Sequence, residues 1–361
     1  MTRENLLPIL YGLTSALLFG VTAPFSKLLL EGVGPITMAS LLFLGSGTGL
    51  FLYLLGGSFL GHGRDGVEAS LAPADLPWLA GVVLFGGVLA PVTLMISLAQ
   101  TSAATASLLL NFEAVATTVI AVLWYREPVG GRMWGALTLI TFSCVILSYV
   151  PDQPFGLSVG ALGIILTCTF WGMDNNFSKQ ISAKDPIPIV MIKGFGAGAV
   201  TFVIARLFGE AMPDPATCLA AMAIGFLGYG GMMSVFFMMA LRGIGSARTS
   251  ALVSTSPFFG VFVSFLLFTE EPRPAFFVSL LVMALGAWLL ISERHAHAHR
   301  HEPMAHEHRH RHDDLHHDGH DHPPGTPPLD AKGYHSHCHD HPEMVHDHPH
   351  SPDLHHRHAH N

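Results

Sequence analysis

GVTAPFSK at residues 20–27 and GMDNNFSK at residues 172–179 are separated by 152 positions, and each closes a long apolar stretch. Phe25-Ser26-Lys27 and Phe177-Ser178-Lys179 repeat in identity, and Gly20 falls on Gly172 at the same offset. Glu127-Pro128 returns as Glu271-Pro272, 144 positions on, after an apolar run preceded by small residues: Ala103 to Ser107 in one copy, Ala247 to Ala251 in the other. An ordered repeat of this length marks a duplicated chain. An odd number of crossings in each copy would set the two halves inverted in a bilayer, a frequent architecture of secondary transporters.

Half of the 361 residues are hydrophobic and only 12% are charged. A helix needs about 20 apolar residues to cross the hydrocarbon. Ten candidate segments meet this requirement, near 6–28, 35–57, 77–98, 103–125, 131–150, 156–179, 187–208, 217–240, 246–268 and 274–292. The expectation is an all-α polytopic membrane protein of two inverted five-helix repeats, 1–150 and 151–292, followed by a disordered tail, 293–361. The first segment has a thin basic start in Arg3, and Pro24 follows its best cleavage site, so it reads as a retained helix rather than a signal peptide. Four scattered cysteines form no C-x-x-C pair and imply neither a disulfide framework nor a thiolate metal site. Lys and Arg of the short loops concentrate on the side that holds the N-terminus, which puts both termini in the cytoplasm of a bacterial inner membrane.

At Ser292 the composition changes. Of 24 histidines, 23 lie between His295 and His360, and the 69-residue tail contains no Phe, Ile or Trp. The body carries 14 acids and 12 bases, net −2; the tail carries 12 acids and 6 bases, net −6. So little apolar surface does not offset the entropy of ordering. The histidines alternate with other residues: His295, His297, His299, His301; His306, His308, His310, His312; His335, His337, His339, His341; His346, His348, His350. Imidazoles neutral at cytoplasmic pH, interspersed with carboxylates, suit nickel, zinc, cobalt or copper, and a flexible tail would impose no geometry to select one. The plain alternative is a solvated polar tail.

Within the apolar segments an ionisable group costs about 2.5–3.5 kcal/mol at the helix centre on insertion scales, so each needs a reason. Glu113, in the fourth segment beside Asn111, is the candidate proton-coupling or substrate-contacting group; its counterpart in the second repeat is Pro257, a helix break where the first copy has a carboxylate. Trp171 precedes the polar step Asp174-Asn175-Asn176, and Lys193 enters from the same membrane face, so that an Asp174–Lys193 pair would neutralise both. Lys27 and Lys179 read as interfacial anchors. Pro24, Pro91, Pro257 and the glycines 225, 228, 230 and 231 stand where broken helices would open a cavity. The body has no H-E-x-x-H, G-x-S-x-G or P-loop and a single histidine, His62, so ATP-driven pumping by this chain and enzymatic chemistry are not expected, and no cofactor is required.

Two tandem units, each opening with an aromatic-Gly step and a terminal Lys and closing with small residues, an apolar helix and Glu-Pro, resemble the EamA-type members of the drug/metabolite transporter superfamily. The resemblance covers residues 6 to 292 and is most specific over Ser107 to Pro128 and Ala251 to Pro272. It implies a ten-helix carrier working by alternating access, usually exporting small organic solutes. Glu113 in place of proline and the His-rich tail depart from that pattern. Three readings follow: export of a small organic metabolite, with the tail an accessory metal binder; efflux of nickel, cobalt or zinc fed by the tail; and a membrane-anchored metal store or sensor. The partners expected are the solute, the lipid bilayer and transition-metal ions, with a homodimer allowed and no nucleic acid.

Overall fold

The computed structural model describes residues 3–59, 69–127, 129–150, 157–182, 184–269, 271–291, 296–301, 304–310, 335–341 and 344–349. The body is helical: α1 (Arg3–Gly20), α2 (Thr22–Leu29), α3 (Pro35–Phe59), α4 (Leu76–Gly81), α5 (Ala90–Ala99), α6 (Ala103–Leu109), α7 (Phe112–Tyr125), α8 (Gly131–Ser148), α9 (Val159–Gln180), α10 (Pro186–Leu207), α11 (Pro215–Gly228), α12 (Met232–Val253), α13 (Ser256–Leu267) and α14 (Pro274–Ile291). Among the described residues, seven helical stretches are long and apolar enough to cross a membrane: Leu6–Leu29, Pro35–Gly56, Pro73–Ala99, Ala103–Tyr125, Gly131–Ser148, Pro186–Leu207 and Pro215–Ala240. The sequence expectation was ten. Of the rest, α9 has the length but carries the polar step at Asp174, and Ser256–Leu267 and Pro274–Leu289 are shorter.

The interruptions have local causes. Pro24 has no N–H for the Gly20 carbonyl, and the helix breaks at Val21 between α1 and α2. Pro91 likewise leaves the Gly87 carbonyl without its usual donor, and the turns before it, Val82–Leu89, widen into a π-helix that joins α4 to α5. Gly230 has φ +106, a conformation that favours glycine, at the break after α11. The fourth segment departs from the sequence reading. It is broken at Leu110–Asn111, as the ninth is at Ser254–Thr255, so both repeats carry the break and Glu113 sits in the first turn beyond it.

A loop was expected near residues 240–246, but the backbone stays helical from Met232 to Val253. A Cβ added to Gly12 would lie 3.4 Å from Leu252 Cβ and 3.6 Å from Ala240 Cβ. A straight helix would separate those two residues by about 18 Å. The helical backbone therefore does not run straight between them.

Glycines set the helix contacts. Gly47 and Gly194 bring the backbones of α3 and α10 together, and Gly45 lies on the backbone of Met222 in α11. Small residues of this kind let helices approach closely in a bilayer. Ser143 of α8 donates to the Ser279 carbonyl of α14 at 2.8 Å. Gly20 at the end of α1 packs on Ser256 and Phe259 of α13, while Gly172 of α9 packs on Ala116 and Thr117 of α7. Each half thus lends its first helix to the other half's broken helix, an exchange that follows from the duplication.

The tail departs from the expected disorder. Its described segments are strands β1 (Ala296–His301), β2 (Met304–His310), β3 (His335–His341) and β4 (Met344–Pro349), paired antiparallel as β1 with β4 and β2 with β3. The physical reason is periodicity: histidine at every second position matches the two-residue repeat of a strand. His295, His312 and His350 lie outside the described residues.

Candidate functional site

The polar residues of α9 meet α7, α10 and the π-helix. Asn175 Nδ2 donates to Glu113 Oε1 at 2.8 Å and to Thr117 Oγ1 at 3.1 Å. One turn separates Glu113 from Thr117, so a single amide spans both. Asn176 Nδ2 donates to the Gly172 carbonyl at 2.8 Å and to the Thr117 carbonyl at 3.1 Å, fastening α9 to α7. Glu113 lies in the first turn of α7, where the helix dipole favours a negative charge.

Asp174 points the other way. Lys193 Nζ of α10 meets Asp174 Oδ2 at 2.5 Å, and Ser178 Oγ lies 3.5 Å from Asp174 Oδ1. The expected pair is present and its charges cancel. The π-helix makes room for it: a Cβ on Gly86 would collide with the Asp174 carboxylate, and one on Gly87 would come 3.5 Å from Lys193 Cγ. Helices widened in this way recur at functional sites.

Exposure identifies the open side. Val159, Leu162 and Leu166 form the outward face of α9 and are exposed, as a lipid-facing stripe should be. Asn175 is also exposed, yet it lies about 180° around the helix from Leu166 and one turn from buried Trp171. Its exposure therefore reports an opening on the interior face of the bundle. Trp171 forms the wall beside it, with ring centroids 6.2 Å from Phe19 and 6.2 Å from Tyr229; Tyr229 in turn meets Phe43 edge-on at 5.5 Å. The Tyr229 hydroxyl is buried and has no hydrogen-bond partner among the described residues.

Of the residues singled out from sequence, Glu113, Asn175 and Trp171 share this interior region, and Asp174 with Lys193 forms the ion pair beneath it. Asn111 does not join them: its amide donates to the Leu108 carbonyl at 3.1 Å and serves the helix break. Thr117 and Tyr229 were not foreseen. Thr117 has an ordinary helical context, whereas Tyr229, an aromatic hydroxyl between Gly228 and Gly230, stood at a readable break. The two repeat lysines do more than anchor. Lys27 Nζ donates to the Leu98 and Ala99 carbonyls at 2.7 and 3.0 Å, closing the C-terminus of α5, and Lys179 pairs with Glu127 at 2.5 Å. Among the described residues no group of three or more His, Cys, Asp or Glu is placed to hold a metal ion.

The EamA-like transporter family matches residues 6–149 and, a second time, residues 158–292. The chain belongs to the EamA-like transporter family. It is a multi-pass membrane protein of a family of transporters. An uncharacterized transporter of Methanothermobacter thermautotrophicus (strain Delta H) is 27% identical over 291 residues, covering 77% of this chain and 84% of that one. A solved crystal structure resembles the EamA-like body with TM-score 0.56 and 18% identity, across 78% of this chain and 95% of that chain, and shares its fold.

Proposed function

We propose that the protein is a secondary active exporter of a small organic solute bearing an amino group, and that Glu113 carries either the solute's ammonium group or a proton. The observation that carries this reading is the exposed amide of Asn175, on the interior face of α9, bonded to a carboxylate that forms no ion pair among the described residues. Asp174 is already matched by Lys193, so the region keeps one unmatched carboxylate beside hydroxyl, amide and aromatic groups. That set recognises a cationic head and an apolar body. One proton entering for each solute leaving would keep Glu113 occupied at every stage, and the favoured cycle is therefore proton antiport. Ten crossings, both termini in the cytoplasm and residence in a bacterial inner membrane complete the reading. In it, the tail binds transition-metal ions as an accessory to transport.

Efflux of a divalent metal through the body is less well supported. A dehydrated cation needs several oxygen or nitrogen ligands, and the interior offers Glu113 with Asn175 and Thr117. The test is uptake of radiolabelled amino acids, and in parallel of nickel, cobalt and zinc, into inside-out vesicles bearing a proton gradient. Accumulation of an amino acid that an uncoupler abolishes and Glu113→Gln removes is the expected result. Metal uptake by a chain stopped after Ser292, with no organic solute moved, would sink it.

A further inference from the structure

We propose that the seam where α2, α5, α6 and α13 meet is the gate to the outside, and that Lys27 is its latch. The inference rests on the membrane orientation proposed above and is independent of the solute. On the interior face of α9, Ile164, Cys168, Trp171 and Asn175 follow one another at helical spacing. The first three are buried, and Asn175, five residues from the end of the helix at Gln180, is exposed. The opening therefore lies toward the Gln180 end of α9, which is the cytoplasmic end in that orientation.

The Val159 end is sealed. Gly160 packs there on Thr101 and the Ser97 carbonyl, which brings the C-terminus of α5 and the start of α6 to that end, and the Cys168 thiol lies 3.7 Å from the Leu109 carbonyl, so α5 and α6 go with α9. On the other side of the seam, Gly20 joins α1 and α2 to α13 through Ser256 and Phe259. Lys27 crosses between the two groups: its Nζ donates from α2 to the Leu98 and Ala99 carbonyls of α5 at 2.7 and 3.0 Å. Gly260 of α13 crosses as well, since a Cβ there would come 2.6 Å from Ser107 Oγ of α6. The counterpart lysine at the open end behaves differently. Lys179 pairs with Glu127, just past α7, a helix that α9 already holds through Gly172, so it stays on one side of the opening. The seam also contains groups that favour parting. The Ser107 hydroxyl is buried without a hydrogen-bond partner among the described residues, and so is that of Ser26, next to Lys27. A buried hydroxyl in this condition carries a desolvation cost that disappears when water enters. The charge-assisted bonds of Lys27 oppose that opening.

Thiol labelling of the full-length protein with a membrane-impermeant maleimide tests the proposal. The four native cysteines are replaced by serine, and one reporter is introduced: Ser107→Cys, labelled from the outside in intact cells, or Asn175→Cys, labelled from the cytoplasmic side in inside-out vesicles. Lys27→Met should raise the labelling rate of Ser107→Cys by about tenfold or more, the worth of one or two bonds from a charged donor, and slow that of Asn175→Cys. Lys27→Arg, which keeps a charged donor, should stay near the starting rate at both positions. Gly260→Ala gives a second route, because its methyl wedges the seam without touching Lys27; it should also slow Asn175→Cys, which is remote from the wedge. An unchanged rate at Ser107→Cys in Lys27→Met overturns the latch. Faster labelling at both reporters overturns it too, since that is a loosened bundle and not a gate. Labelling of Asn175→Cys from the outside alone overturns the assignment of the outer gate. None of these readings depends on which solute is carried, so the amine-export proposal can fail while the gate stands.

Discussion

Removing the charge on one side of the Asp174–Lys193 pair should destabilise the protein far more than removing both. The side chains are only 8% and 19% exposed, and they meet at 2.5 Å. Lys193→Met keeps the aliphatic stem and deletes the ammonium, leaving the Asp174 carboxylate with a long contact to Ser178 at 3.5 Å and with the π-helix packed against it. Breaking a buried pair in this way costs about 3–5 kcal/mol, whereas replacing both partners by neutral groups of similar size is close to neutral. The residual exposure of Lys193 points to the lower end, about 3 kcal/mol. At roughly 2–4 °C per kcal/mol for a protein of this size, Tm falls by about 6–12 °C. Asp174→Asn alone strands the ammonium and falls by a similar amount. The double variant should return to within about 1 kcal/mol of the wild type. The assay is thermal melting of the four purified proteins in one detergent at one scan rate. If the double variant loses as much as the two single losses added together, the pair is not coupled and the charge-cancellation argument fails.

Three further outcomes follow from the geometry. Gly86→Ala drives a methyl into the Asp174 carboxylate and should cost about 1–3 kcal/mol; Gly196→Ala, whose new methyl meets Val83 Cγ1 at an ordinary 3.5 Å, should be almost silent in the same melting assay. Gly230→Ala forces an L side chain to φ +106 and should lose on the order of 1–3 kcal/mol, with transport falling as the break after α11 distorts. Asp214 caps α11: the Thr217 hydroxyl and N–H, with the Ala216 N–H, hold its carboxyl below the usual carboxylate range. Because the folded-state value is lowered, this stabilisation is present above the unfolded value near 3.9 and disappears as pH falls through the folded one. The melting curve of Asp214→Asn should therefore depend less on pH below about 4 than that of the wild type, and identical slopes would contradict the cap.

The duplication was legible because it is written in identities: Phe-Ser-Lys and Glu-Pro recur in order, and the glycines at 20 and 172 mark equivalent helix contacts. The Asp174–Lys193 pair was legible too, since two opposite charges entering apolar helices from the same membrane face have few other partners. Less visible was the break at Leu110–Asn111, which contains no proline or glycine and is recognisable only beside its counterpart at Ser254–Thr255. Nor does local sequence show that Asn175 reaches Glu113, a contact 62 residues away that depends on how α7 and α9 cross. The strand pairing of the tail was missed for a related reason. Alternating histidine reads as polar low complexity until one register is seen to match the first block with the last.

The exchange of first helices between the halves also bears on synthesis. Ser15 in α1 donates to the carbonyl of Met233, 218 residues further along the chain. At about 5–20 residues per second, that partner emerges roughly 10–40 s after α1 does. During that interval α1 must sit in the bilayer without its final neighbours, with glycine-lined grooves facing lipid. The nascent first half is consequently a waiting intermediate, completed only when the second half arrives to receive its helix and return one of its own.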